Sequence, residues 1–349
     1  MILKSIIIAA LLIPSVSISS KTLAQQQKVD KKFSSDEFRG PQMEKREAPK
    51  YPISMLKLGH TGLVEIEITV DETGTVKNAV VIQSTDPDFE KNSLDAVLAY
   101  EIKPATYQGK DVSSRDRIVV RYEVEVRTWN EVGRNFLKIY RKIAKELEKD
   151  KPNEKKLSKL FKRADKVYLL TMYSLSRLKL AQAKFSEHFK DQRTQLKALT
   201  ELVLFEAKYL ADSERQQVLT SIVKHQINLG FYGEAIESYS TLQKEFPDAI
   251  KTVEPVIQKV NAILIAEQSY VRKFQTDQRG NDFVELTNPA FFFQNTSGVI
   301  NKLKLRCQTR STELEYSPEN DYRLPPSWGK CSLQIIGEPG ANGELIQVW

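Results

Sequence analysis

Residues 62–84 read GLVEIEITVDETGTVKNAVVIQS. Val64, Ile66, Ile68 and Val70 alternate with Glu65, Glu67 and Thr69, the period of a strand with one apolar face and one polar face expected to meet solvent. Asp71-Glu72-Thr73-Gly74 has the composition of a turn in which Gly74 takes positive φ, and Val76 to Gln83 returns as a second strand. Asp86-Pro87 then predicts a helix start, with Asp as cap and Pro in the first turn. Leu94, Val97, Leu98 and Ile102 fall at helical spacing up to the stop at Pro104. The stretch RIVVRYEVEV (117–126) supplies a last strand, with Val120, Tyr122, Val124 and Val126 on one face and Arg121, Glu123 and Glu125 on the other. The order is β-β-α-β.

Around this unit the 349-residue chain is long enough for two or three domains. Lys4, the apolar run Ile6 to Ile13, and small residues up to Ala24 have the layout of a secretory signal over 1–24. The run falls short of the roughly 20 apolar residues of a membrane span. A cleaved signal is therefore expected; an uncleaved anchor is the alternative. Residues 25–47 are polar and read as a linker. Between Glu131 and Thr200 there are 19 Lys and Arg against 8 Asp and Glu. That excess is either a solvated helix face or a surface for anionic lipid or cell-wall polymer. Nucleic acid is not expected as a partner, since an exported chain with no binding motif gives it no site.

Residues 129–275 carry helical periodicity nearly throughout. Leu229-Gly230, Ala235, Tyr239 and Pro247 resemble one tetratricopeptide repeat unit over about 216–249, so the region is either a TPR-like hairpin array or a plain helical spacer. From 281 to 349 the texture is β. Val299, Asn301, Leu303, Leu305 and Cys307 share one face, and Lys302, Lys304 and Arg306 the other. Cys331, Leu333 and Ile335 alternate in the same way. Cys307 and Cys331 are the two cysteines of the chain, and in an exported protein they are expected to form a disulfide. The whole is a multidomain α+β protein: a small β-β-α-β domain, a helical array, and a small disulfide-bonded all-β module.

No catalytic pattern emerges. His60, His188 and His225 lack second ligands at metal spacing, and no nucleophile elbow, phosphate-cradling loop or zinc-protease motif is present. Surface carboxylates account for Glu65 and Glu67. No enzyme activity, metal or other cofactor is expected.

The ordered set Tyr51-Pro52, Gly62-Leu63-Val64, Asp71 to Gly74 with Val76, Phe89, Ala96, Pro104-Ala105 and Val120-Arg121-Tyr122 resembles the C-terminal domain of the TonB energy-transducer family, from residue 48 to 127. The resemblance implies a periplasmic domain that receives a segment of an outer-membrane transporter as an added strand, a mode in which main-chain hydrogen bonds supply affinity. Carried onto this sequence, it implies partner contacts at Tyr51, Pro52, Arg121, Tyr122, Glu123, Val124, Glu125 and Val126. Family transducers have an uncleaved N-terminal anchor and a long Pro-rich spacer; here the apolar run is short, the linker holds one proline, Pro41, and more than 200 residues follow the domain. The expectation is a periplasmic, non-enzymatic protein that binds an envelope partner. The alternatives are an inner-membrane-anchored transducer for outer-membrane uptake, and an envelope scaffold whose basic helices meet lipid or cell wall.

Overall fold

The computed structural model describes residues 33–124, 133–189 and 192–349. The expected signal segment 1–24, and Glu125 and Val126 of the expected last strand, lie outside the described residues. Two short strands, β1 (Phe38–Arg39) and β2 (Gln42–Lys45), and helix α1 (Ile53–Leu58) precede β3 (Gly62–Val70), β4 (Val76–Ser84) and α2 (Glu90–Val97). Short strands β5 (Glu101–Lys103), β6 (Ala105–Tyr107) and β7 (Lys110–Val112) then lead into β8 (Ser114–Tyr122).

The central sheet has the order β4-β3-β8. Alternation along β3 sends Val64, Ile66, Ile68 and Val70 inward, all fully buried, where they pack with Phe89, Val97, Ile118, Val120 and Tyr122. The turn between β3 and β4 is built as its residues require. Asp71 Oδ1 accepts hydrogen bonds from the Thr73 and Thr75 amides at 3.0 and 2.9 Å, and Gly74 sits at φ +83°. A Cβ at Gly74 would also lie 2.0 Å from the Ile102 carbonyl oxygen, so glycine is required there twice over. Asp86 Oδ1 accepts from the Asp88 amide at 3.0 Å, with Pro87 opening the single 3₁₀ turn that leads into α2.

Two expectations are corrected in this unit. The helix stops at Val97, not near Pro104, and Ile102 is instead a buried residue of β5. The reason lies in the segment expected to be a linker: β2 pairs with β5, Met43 opposite Ile102, and β1 pairs with β6. An extended partner strand captures 101–103 before the helix can run on to the proline.

Helices α3 (Arg134–Leu147), α4 (Glu154–Ala164), α5 (Met172–His188), α6 (Gln192–Val203), α7 (Asp212–Asn228), α8 (Tyr232–Glu245) and α9 (Glu254–Ile265) form the middle region. Phe136, Ile143, Leu157, Leu178 and Leu202 are at its core, and Leu63 of β3 joins them from the outer side of the sheet. Helices α7 and α8 follow one another as a hairpin: Gly230 turns the chain at φ +74°, Ala235 is fully buried, and Pro247 opens the 3₁₀ turn after α8.

The β module begins earlier than expected, at β9 (Tyr270–Gln275), and continues through β10 (Asn281–Leu286), β11 (Ala290–Ser297), β12 (Ile300–Cys307), β13 (Ser311–Leu314), β14 (Tyr322–Arg323), β15 (Cys331–Gly337) and β16 (Asn342–Val348). Two sheets, β10-β15-β12-β13 and β14-β11-β16-β9, enclose Phe274, Phe291, Phe293, Leu303, Leu305, Leu333 and Leu345. A register shift between Ile300 and Lys302 puts Ile300 inside and leaves Val299, expected on the apolar face, exposed. Cys307 and Cys331 face each other across β12 and β15 and are bonded, closing a separation of 24 residues.

Loop closure of that size contributes about 3–4 kcal/mol in the chain-entropy account. Replacing both cysteines by serine is expected to lower the unfolding free energy by that order, read by urea denaturation. A change below about 1 kcal/mol would mean the sandwich is held by its aromatic core alone.

Candidate docking edge and the buried junction beside it

The two strands at the borders of the central sheet differ. β3 and β8 pair without interruption from Gly62↔Tyr122 to Val70↔Ser114. β3 and β4 are out of step twice, between Glu65 and Ile66 and between Thr69 and Val70. Bulges twist an edge and spoil it as a template, so β8 presents the regular border. Among the described residues β8 pairs on its β3 side only.

The direction of the β8 amides follows from one anchor. Leu63 turns its amide to Thr85 Oγ1 and accepts the Thr85 amide on its carbonyl, both at 2.9 Å, on the β4 side. In an antiparallel ladder the backbone groups alternate sides. The even residues of β3 therefore bond β8, and their partners Ile118 and Val120 point their amides inward. Arg115, Arg117, Val119 and Arg121 point theirs to the open border. The Arg117 amide bonds Asp116 Oδ1 at 2.8 Å, in keeping with that direction.

Tyr51 sits at the end of this border. Its ring meets Tyr122 edge-on at 5.3 Å, and its hydroxyl donates to the His60 carbonyl at 2.5 Å. Burial pushes the Tyr51 hydroxyl up to about 12, with Tyr122 and Glu123 adding to the effect. Pro52 is the residue before α1, with φ −60°. Arg121 approaches Glu206 at 3.9 Å. Glu123 accepts a long 3.5 Å bond from Tyr209, and Glu123 and Val124 lie past the end of β8 at Tyr122. The structure thus brings Tyr51, Pro52, Arg121 and Tyr122 to one corner, leaves Glu123 and Val124 outside the strand, and does not describe Glu125 and Val126.

The outer face of the sheet, expected to meet solvent, is covered. Glu67 is fully buried and Thr69 nearly so. Glu67 Oε1 accepts from Ser332 Oγ at 2.9 Å and lies 3.5 Å from Arg306 Nη1; Oε2 lies 3.5 Å from Arg115 and 3.4 Å from Arg117. Glu285 takes Arg115 in a two-pronged pair at 3.0 and 2.9 Å and also receives Arg117. Glu237 of α8 stands 3.9 and 3.8 Å from the same two arginines. Burial alone would raise the Glu285 carboxyl, but Arg115 and Arg117 hold it below the usual carboxylate range. Arg306, expected on the polar outside of β12, is 1% exposed and bonds Gln334 Oε1 at 2.6 Å. Three guanidinium groups and three carboxylates from all three regions balance one another. His60 adds a further tie, with Nε2 2.6 Å from the Val167 carbonyl.

Beside this network is a cavity of about 570 Å³, between the sheet (Glu65, Gln83), α6 (Arg193, Lys197), α8 (Glu234, Glu237) and the β module (Arg272, Arg279). Most of its charges pair internally, Arg272 with Glu234 and Asp282, and Arg279 with Asp277 and Glu90. No cluster of three or more His, Cys, Asp or Glu that could hold a metal exists among the described residues. Burial raises Glu234 from 4.5 to about 7, opposed by Arg272.

Two consequences are measurable. Glu67→Gln leaves buried Arg306 without its carboxylate partner, while Arg115 and Arg117 keep Glu285, and is expected to cost about 3 kcal/mol of stability in urea at pH 7; a loss under 1 kcal/mol would show the network to be solvated. Glu234 works in the opposite sense. Its folded value lies above its unfolded value, so the folded state binds the proton more tightly, and stability falls as pH rises from about 4.5 to 7. A shift of that size corresponds to about 3 kcal/mol. Glu234→Gln is expected to match the parent at pH 4 and to exceed it above pH 7, whereas equal stability at both pH values would contradict the buried carboxyl.

Comparison with known proteins gives the edge its context. The family described as Gram-negative bacterial TonB protein C-terminal matches residues 47–124. Among solved structures, the solution NMR structure of the Pseudomonas aeruginosa TonB C-terminal domain is similar at 20% identity, covering 25% of this chain and 90% of that chain, with a TM-score of 0.23. The search of curated proteins finds no match. On the family match, residues 47–124 form a TonB C-terminal domain.

Proposed function

We propose that the protein acts in the cell envelope as a binding module, and that its TonB C-terminal domain captures an outer-membrane partner by adding a strand of that partner along β8. The observation that carries this reading is the uninterrupted β3–β8 register, with β8 unpaired on its far side among the described residues. The sheet's two faces offer little: α2 and the core cover one, and the helices and β module cover much of the other. What remains is main chain, and strand addition uses main chain. Tyr51 and Pro52 stand where an added strand would meet the Tyr122 end. The corner residues Arg121 and Glu123 would then read the partner's side chains.

A proline at Arg121 tests the reading. Its amide points to the open border, so proline removes one docking bond without breaking the β3 ladder. Arg121→Pro is expected to keep the parent melting curve within a few degrees and to lose capture of envelope proteins in cross-linked pull-down, while Val76→Pro in β4, if folded, leaves capture intact. Full capture by a folded Arg121→Pro protein would remove β8 as the docking border.

A further inference from the structure

Ile53, Leu56 and Leu58 of α1 are 71%, 55% and 40% exposed, and Tyr168 is 71% exposed. They come from segments far apart in sequence, yet the backbone joins those segments. The Leu169 amide donates to the Leu58 carbonyl at 2.7 Å, the Leu170 amide to Gly59 at 3.1 Å, and the Thr61 amide to Leu170 at 3.0 Å. Met55 is the buried residue of α1 and anchors the helix. Leu169 holds φ +63°, a conformation that a leucine adopts only under constraint. That turn buries Val167 and Leu170 on either side while Tyr168 stays outside. The exposed apolar side chains are thus mounted on fixed backbone.

Exposed cations lie close to these residues along the backbone. Lys57 lies on α1, Lys166 precedes the Val167 carbonyl that meets His60, and Arg134 follows Gly133, whose added Cβ would lie 3.3 Å from the Tyr168 carbonyl. All three are exposed. Behind them, thirteen Lys and Arg stand against five acids between Arg134 and Lys166. One of those acids, Glu146, is buried and neutralised by Lys149 and Lys156 at 2.9 and 2.6 Å.

We infer that this corner docks the protein on an anionic phospholipid surface, with Ile53, Leu56, Leu58 and Tyr168 entering the headgroup boundary and Lys57, Arg134 and Lys166 meeting lipid phosphates. The two chemistries together select the occupant. Cations alone would serve an anionic polymer, but four exposed apolar side chains gain nothing from a polar chain and do gain from acyl surface. The inference is independent of strand addition at β8.

The test is flotation of the chain from Gln25 onward, which keeps every described residue, with vesicles of phosphatidylglycerol and phosphatidylcholine and with phosphatidylcholine alone. The expected result is binding to the anionic vesicles only, weakened by high salt. Ile53→Asp with Leu56→Asp, and separately Lys57→Glu with Arg134→Glu and Lys166→Glu, are each expected to reduce bound protein at least tenfold. Their sites are exposed, so the melting temperature should hold, and capture of protein partners through β8 should be unchanged. Absence of binding to anionic vesicles, or undiminished binding by Ile53→Asp with Leu56→Asp, would overturn the inference. Pelleting with purified murein that survives the same pair would assign the basic face to cell-wall polymer instead, and would overturn it as well.

Discussion

The carboxylate of Glu67 is the point on which the arrangement depends. It stands in the middle of β3, within a TonB C-terminal domain, and its partners come from two places: the charges of Arg115 and Arg117 on the next strand, and the Arg306 charge and Ser332 hydroxyl of the β module more than 200 residues away. A carboxylate taken fully out of water is tolerated only when charge and hydrogen bonds replace the water. That requirement ties the sheet to the β module, and Glu237 of α8 extends the tie to the helices. Leu63, which packs into the helical core from the same face of β3, supplies the apolar part of the same contact. The small sheet is therefore a wall of a larger body, not a free unit on a tether.

This constraint shapes what the domain can do. With apolar side chains under α2 on one face and a charged network on the other, partner recognition by the flat of the sheet is excluded where the β module and helices lie on it. Among the described residues, the border of β8 carries main-chain groups that pair with no other strand. The bulges in β4 remove the competing border. On the proposed strand addition, an edge held by the rest of the chain does not have to be ordered when the partner arrives, which would lower the cost of association.

Much of this was legible in the sequence because it depends on local pattern. Alternation over 62–84, the Asp71–Gly74 turn, the Asp86–Pro87 start and the inward pairing of Cys307 with Cys331 each follow from a few neighbouring residues. The parts that were not legible depend on distant partners. Glu67 and Arg306 read as outward polar residues, and alternation alone has no term for a counter-charge arriving from another module. Ile102 read as helical because its β partner, Met43, lay in a segment whose composition suggested a linker. The last strand read as running to Val126; among the described residues β8 ends at Tyr122, opposite Gly62 where β3 begins, and Glu125 and Val126 lie outside them. Tyr51 was expected as a partner contact; its hydroxyl and ring are engaged inside the domain, with His60 and Tyr122.

Residue-resolved amide hydrogen exchange of the unbound protein tests the central claim most directly. If both faces of the sheet are covered and the β8 border is open, the Val119 and Arg121 amides exchange far faster than those of Ile118 and Val120, in strict alternation along β8. Equal, strong protection of all four amides would mean that the border is already covered by the rest of the chain, and would contradict the account.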